Sequence, residues 1–369
     1  MCHHLRAVSF LAMAMLLAIG CTAPVASPAQ PGADSPVAAA PSPTAAPTSV
    51  ETPLETVRVG VLNIASDVPF YWAEQRGYLR EVGLTIDTSR FDSAQRMTTP
   101  LGADQLDVGA GAPGPGLYNA IQRGITVRIV GDRGRLPPGA RSNCLVVRKD
   151  LLDSGAIQRL TDLRGHVFAD NVPGTITDYV LDKALRDRGV DPAAVTHVTV
   201  PFPDMLNAFA NSHIDAAFLV EPFITVGEQR GVSQCWRPTG DLVPNFQLAV
   251  LLYGPTFAEE RADSARRFMV AFLRAVRDYY RAFFGDGQGR PELLDLITRT
   301  TRIKDLALLE QMAPTWMDPN GAVNVESLGA VQHYYFERGD MEAELPMDQV
   351  VDSTFADYAV QRLGRYATP

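Results

Sequence analysis

From Val57 to the end of the chain, short apolar runs alternate with longer amphipathic stretches. Val57, Val59 and Val61 open one run, Ile125, Val127 and Ile129 another, and Leu248, Val250 and Leu252 a third. Runs this short, spaced by helical periods, predict parallel strands covered by helices on both faces. Pro69 and Pro173 fall where helices should begin, a position that tolerates the missing N–H. Gly77, Gly124, Gly189 and Gly231 fall where helices should end in a left-handed cap. Farther along, Phe268, Phe272, Val276 and Tyr280 recur every fourth residue and predict a helix with a core-facing stripe. Further helices are expected over 305–312 and 325–337, with Pro291, Pro314 and Pro319 separating or starting them.

The pattern repeats. Gln105-Leu106-Asp107-Val108-Gly109-Ala110 leads to Pro113 and a helix closing at Gln122-Arg123-Gly124-Ile125. His213-Ile214-Asp215-Ala216-Ala217-Phe218 leads to Pro222 and a helix closing at Gln229-Arg230-Gly231-Val232. A looser pair starts at Asp67-Val68-Pro69 and at Asn171-Val172-Pro173. Two copies of strand, proline turn, helix and Arg-Gly stop predict an α/β protein of two doubly wound lobes. Ligands of such open sheets bind outside the carboxyl ends of the strands. Loops 63–69, 110–116, 170–177 and 219–224 therefore frame the expected site, with the lobes closing over it as on a hinge. The chain should cross between lobes twice, at Gly131–Asn143 and at Pro238–Phe246. Residues 57–140 and 241–369 then form lobe one and residues 141–240 lobe two.

The start of the chain has another character. Arg6 precedes an apolar run from Val8 to Ile19 that is shorter than the roughly 20 residues of a membrane-spanning helix. It fits the core of a signal peptide over residues 1–20. Leu17-Ala18-Ile19-Gly20-Cys21 resembles a bacterial lipobox, with Ala18 where Leu is preferred, so Cys21 is the expected lipidation site. Residues 21–56 are rich in Pro, Ala, Ser and Thr and read as a tether that could reach on the order of 100 Å. The expected location is the extracytoplasmic face of a membrane, held by two or three acyl chains. In that oxidising setting Cys144 and Cys235 are either a disulfide or two buried thiols.

Charge and missing motifs exclude several functions. The net charge of −9 argues against nucleic acid, whose backbone requires Lys and Arg. There is no phosphate-binding glycine loop, nucleophile elbow, His-Glu-x-x-His or Cys-x-x-Cys. His166, His197, His213 and His333 lack metal-ligand spacing. No catalytic residue, metal or cofactor is expected.

Pro69-Phe70-Tyr71-Trp72-Ala73-Glu74 is followed by Gly77-Tyr78-Leu79 and Val82-Gly83-Leu84. With Asp107-Val108-Gly109, Ile214-Asp215-Ala216-Ala217 and Glu221-Pro222, this series resembles the NMT1/THI5-like group. That group includes binding proteins for nitrate, sulfonates, taurine and thiamin precursors. The resemblance spans nearly all of 57–366. It implies a type-II periplasmic binding protein fold and a monomer that serves an ABC permease and its cytoplasmic ATPase. Some THI5-like proteins are pyrimidine synthases with a cysteine-rich motif, which this chain lacks. An extracytoplasmic enzyme or ligand sensor is the alternative of another class.

The ligand expectation rests on the loops. Ala110 to Gly116 offers neither hydroxyl nor cation, while Asp67 and Glu221 bring carboxylates that an anion would repel. Thr175 at a helix start speaks for an anion. Phe70, Tyr71 and Phe246, with Phe202 and Phe223 nearby, offer rings for stacking. Asn63, Ser66 and Asn171 offer hydrogen bonds, and Gly111 and Ala112 leave room for a wide ring. This inventory favours a neutral heteroaromatic ligand, riboflavin first and a thiamin pyrimidine precursor next. Taurine, another sulfonate or nitrate is the alternative.

Overall fold

The structure, a computed structural model, describes residues 53–171 and 176–367. The expected signal peptide, Cys21, nearly all of the tether and Thr175 lie outside these residues. Among them, ten strands form two five-stranded sheets. The first takes β1 (Glu55–Val61), β2 (Leu84–Arg90), β3 (Val108–Gly111), β4 (Arg128–Leu136) and β10 (Phe246–Tyr253), in the order β2-β1-β3-β10-β4. The second takes β5 (Asn143–Arg148), β6 (Val167–Asp170), β7 (Thr196–Thr199), β8 (Ala216–Val220) and β9 (Ser233–Pro238), in the order β7-β6-β8-β5-β9.

The two orders are one topology used twice. In each sheet four strands run in one direction, and the fourth position holds an antiparallel strand arriving from the other sheet. That strand is β10 in the first sheet and β5 in the second. The sequence repeat has a matching cause. Asp107 donates its N–H to the Arg58 carbonyl at 2.9 Å and accepts the Arg58 N–H on Oδ2 at 2.8 Å. Asp215 does the same with Val167, at 2.8 Å and 3.0 Å. Each aspartate ties its strand to the start of the parallel neighbour, at the sheet end opposite the strand-end loops. Arginines balance both: Arg58 and Arg261 on Asp107, Arg148 on Asp215.

The predicted core stripe lies on the helix Ala262–Phe284, where Phe268, Phe272, Val276 and Tyr280 are all buried. Helices Leu306–Gln311 and Val325–Glu337 occupy the expected places. One buried cluster continues from Leu117 and Val127 through Leu136 and Phe246 to Leu145 and Phe168, so the sheets share apolar packing at their junction.

The first crossing is shorter than expected. Strand β4 continues to Leu136 instead of ending near Gly131, because its polar residues find partners inside the fold. Asp132 accepts from Gln247 Nε2 at 2.6 Å and from the Asp318 N–H at 2.7 Å, and Arg135 pairs with Asp318. The second crossing carries a short helix, Thr239–Leu242. Gly240 packs on the first crossing so closely that a Cβ there would sit 2.2 Å from the Pro137 carbonyl oxygen. Thr239 Oγ1 also donates to Asn143. Cys144 and Cys235 lie on the paired strands β5 and β9, are bonded, and have Cα atoms 5.5 Å apart.

Candidate functional site

The carboxyl ends of β1, β3, β6 and β8 lead into the loops expected to hold a ligand. At the end of β1 the chain turns through Asn63, whose φ of 62° is left-handed. Asn tolerates this conformation better than most residues. The turn is closed by Asp67, whose Oδ2 accepts the N–H groups of Leu62 at 3.1 Å and Ile64 at 3.0 Å. Its Oδ1 takes the guanidinium of Arg133 on β4, and both side chains are almost wholly buried. Asp67 therefore has no free acceptor for a ligand, contrary to the expectation from sequence. It is a structural carboxylate that fixes the loop.

Glu221, at the end of β8, is likewise engaged. Its carboxylate accepts from the Thr225 N–H at 3.2 Å, the Thr225 hydroxyl at 3.0 Å and the Ala313 N–H at 3.1 Å. The last contact reaches the segment following helix Leu306–Gln311, so Glu221 ties the second lobe to the first. Burial raises its pKa, and these three donors oppose the rise.

Of the rings expected for stacking, Phe202 and Phe223 stack on each other at 5.9 Å, while Phe70 and Phe246 face the core. Phe70 is 1% exposed and packs on Phe268 and Phe272, with ring centroids 6.4 and 5.0 Å away. Phe246 is equally buried and stacks on Tyr179 at 5.8 Å. Tyr71 lies half-buried against Thr88 of β2, and burial pushes its pKa up. Gly111 serves packing: at φ 145°, a Cβ would fall 2.7 Å from Ala94 Cβ, so the missing side chain admits the neighbouring segment rather than a wide ring. Ala112 packs against the core. These rings were placed near loops by sequence position, and the faces of their helix and strand turn them inward.

What remains at the strand ends is compact and polar. Asn63 is 5% exposed, with Oδ1 lacking a hydrogen-bond partner, and Ser66 is nearly buried beside it in sequence. Arg133, behind Asp67, has an unpartnered Nε–H. On the second lobe, Asn171 Oδ1 accepts the Phe202 N–H at 3.3 Å. Asp170 Oδ2 lies 2.6 Å from His197 Nδ1, a pairing that raises the His197 pKa. Sequence reading missed Arg133, Asp170 and the Ala313 N–H. A buried arginine in a glycine-containing run looks like a solvated loop until its partner, 66 residues away, is known.

Twin sheets of this topology, joined by two crossings, define the two-lobed solute-binding protein fold. Residues 65–282 match the family described as NMT1/THI5 like, and the chain belongs to that family. It is 25% identical to the taurine-binding periplasmic protein of Escherichia coli (strain K12) over 210 residues, 55% of this chain and 60% of that protein. It is 20% identical to the putative binding protein YtlA of Bacillus subtilis (strain 168) over 298 residues, 78% of this chain and 85% of that protein. Among solved structures, the periplasmic aliphatic sulphonate binding protein SsuA from Escherichia coli superposes with a TM-score of 0.64 at 18% identity, over 82% of this chain and 99% of that one. The periplasmic nitrate-binding protein NrtA from Synechocystis PCC 6803 superposes with a TM-score of 0.63 at 13% identity, over 84% and 89%.

Proposed function

We propose that the protein is the solute-binding component of an ABC importer, and that its ligand is a small organic oxyanion of the sulfonate class. In this reading it works on the extracytoplasmic face, tethered through a lipid on Cys21, and delivers its ligand to a permease driven by a cytoplasmic ATPase. The observation that carries the ligand class is that Asp67 is charge-balanced inside the fold and Glu221 is engaged by internal donors. Asp67 is met by Arg133 and two backbone N–H groups, and Glu221 by three donors. The electrostatic objection to an anion is thereby removed at Asp67. Asn63 and Ser66 then supply side-chain hydrogen-bond donors beside Asp67. The relatives named for taurine, sulphonate and nitrate binding support the same class.

Riboflavin loses the basis on which it was expected. Neither carboxylate is free to receive its imide, and Phe70 and Phe246 are core residues.

The test is equilibrium titration of the full-length protein, stripped of ligand by unfolding and refolding. Taurine, ethanesulfonate, nitrate, riboflavin and an aminopyrimidine are compared. A sulfonate should bind at least about tenfold more tightly than riboflavin, a difference of about 1.4 kcal/mol. Riboflavin binding with no measurable oxyanion binding would overturn the ligand class. For the anchor, Cys21→Ser should leave the precursor unprocessed or release the protein from membranes. Normal maturation and unchanged membrane fractionation of that variant would refute lipid attachment there.

A further inference from the structure

The lobes also meet at a cavity that takes one wall residue, Asp170, from the end of β6 and the rest from outside the strand-end loops. It measures about 410 Å³ and is walled by Asp170, Asp178, Asp182 and His197 of the second lobe and by Tyr334 and Arg338 of helix Val325–Glu337 and its cap. Its charges are unequal. Arg338 is divided between Asp178 at 3.4 Å and Asp340 at 3.1 Å. Asp182 is in no ion pair among the described residues. Among the described residues its hydrogen-bond partner is the neutral Tyr334 hydroxyl, at 2.9 Å. Asp170, 4% exposed, gives Oδ2 to His197 and leaves Oδ1 buried with no hydrogen-bond partner. A buried carboxylate oxygen without a donor is costly, and a bound group that donates hydrogen bonds removes the cost.

We infer that this interlobe cavity binds a primary ammonium group carried by a small organic molecule. Three acidic side chains share one arginine and one histidine, so the local charge favours a cation. The acceptors call for N–H donors, and a primary ammonium has three. A metal ion suits the site less, because no three His, Cys, Asp or Glu side chains among the described residues are grouped to hold one. A quaternary ammonium, which needs a cage of aromatic faces, would meet Tyr334 alone among Phe, Tyr and Trp. Since both lobes supply the walls, such a ligand would also favour their closed arrangement. The inference does not depend on the ligand class proposed above.

Calorimetric titration of the full-length protein with 1,4-diaminobutane, and with 1,4-butanediol as its uncharged counterpart, tests it. The diamine should bind at one site per chain and the diol should not. Asp170→Asn and Asp182→Asn should each weaken diamine binding at least about tenfold, as expected for losing a hydrogen bond to a charged group. Glu259→Gln, which removes one exposed charge on the first lobe, should leave it unchanged. If Asp170→Asn does not fold, Asp182→Asn decides, since that partly buried side chain has, among the described residues, only the Tyr334 hydrogen bond. Equal binding of diol and diamine, no diamine binding, or unaltered binding in Asp182→Asn would each overturn the inference.

Discussion

Replacing Arg133 with methionine removes the cation facing Asp67 and leaves a carboxylate at 0% exposure on two backbone donors. Breaking a buried ion pair from one side costs about 3–5 kcal/mol, because the remaining charge is still desolvated. The Leu62 and Ile64 N–H groups stay in place, so the lower end, about 3 kcal/mol, is expected. Each kcal/mol moves the melting temperature of a domain of about 150–250 residues by roughly 2–4 °C, so Arg133→Met should melt about 6–12 °C lower. Replacing both partners is a different perturbation. In Asp67→Asn/Arg133→Met the neutral amide oxygen can still accept both N–H groups, and no buried charge is left. The double variant should recover most of the loss, giving a coupling energy of about 2 kcal/mol. Urea denaturation of wild type, both single variants and the double variant supplies the four free energies. An Arg133→Met cost below about 1 kcal/mol, or a double variant as unstable as the sum of the singles, would refute the buried-pair reasoning.

Three further perturbations have definite outcomes. Burial pushes the Asp132 pKa up to about 6, so the folded state holds a proton that the unfolded state has released. Its contribution to stability should therefore fall as pH rises from about 4 to about 6, by on the order of 3 kcal/mol, and stay low above. Asp132→Asn removes this dependence, and denaturation at pH 4.5 and pH 7 should show the variant gaining on wild type at the higher pH. Opening the Cys144–Cys235 bond by Cys→Ser substitution at both positions frees a 91-residue separation and should cost about 2–5 kcal/mol in urea denaturation. Gly240→Ala places a Cβ against backbone oxygens of Leu136 and Pro137. It should cost about 1–3 kcal/mol and change the lobe arrangement seen by small-angle scattering, whereas wild-type values in both measurements would show the crossings to be loosely packed.

The doubly wound architecture was legible because its signals are local. Strand-length apolar runs, prolines at helix starts and glycines at helix ends each act within a few residues, and the repeat doubled them. Even the Asp107 and Asp215 positions stood out in sequence, although their tie to the preceding parallel strand became visible only in three dimensions. The β4 boundary was not legible for the opposite reason. Gly131, Asp132, Arg133, Gly134 and Arg135 look like a solvated loop, yet each is explained by something distant in sequence. Gly131 approaches Met269 and the Gly321 carbonyl, and Gly134 approaches Thr315. Asp132 meets Gln247, and Arg133 meets Asp67.

The candidate site was misread for the same reason. Asp67 and Glu221 do lie in strand-end loops, as the sequence implied, but position does not tell whether a carboxylate is already satisfied. Phe70 and Phe246 were assigned to the site from their positions in the sequence. Their orientation depends on contacts with Phe272 and Tyr179, which no local pattern reports.

What the protein carries when taken from its own cells tests its ligand class most directly. Native mass spectrometry of the full-length protein purified without added ligand should show a small bound molecule, released on unfolding. Fragmentation should identify that molecule as an organic oxyanion of the sulfonate class. A released mass matching riboflavin or an uncharged thiamin precursor would contradict the account.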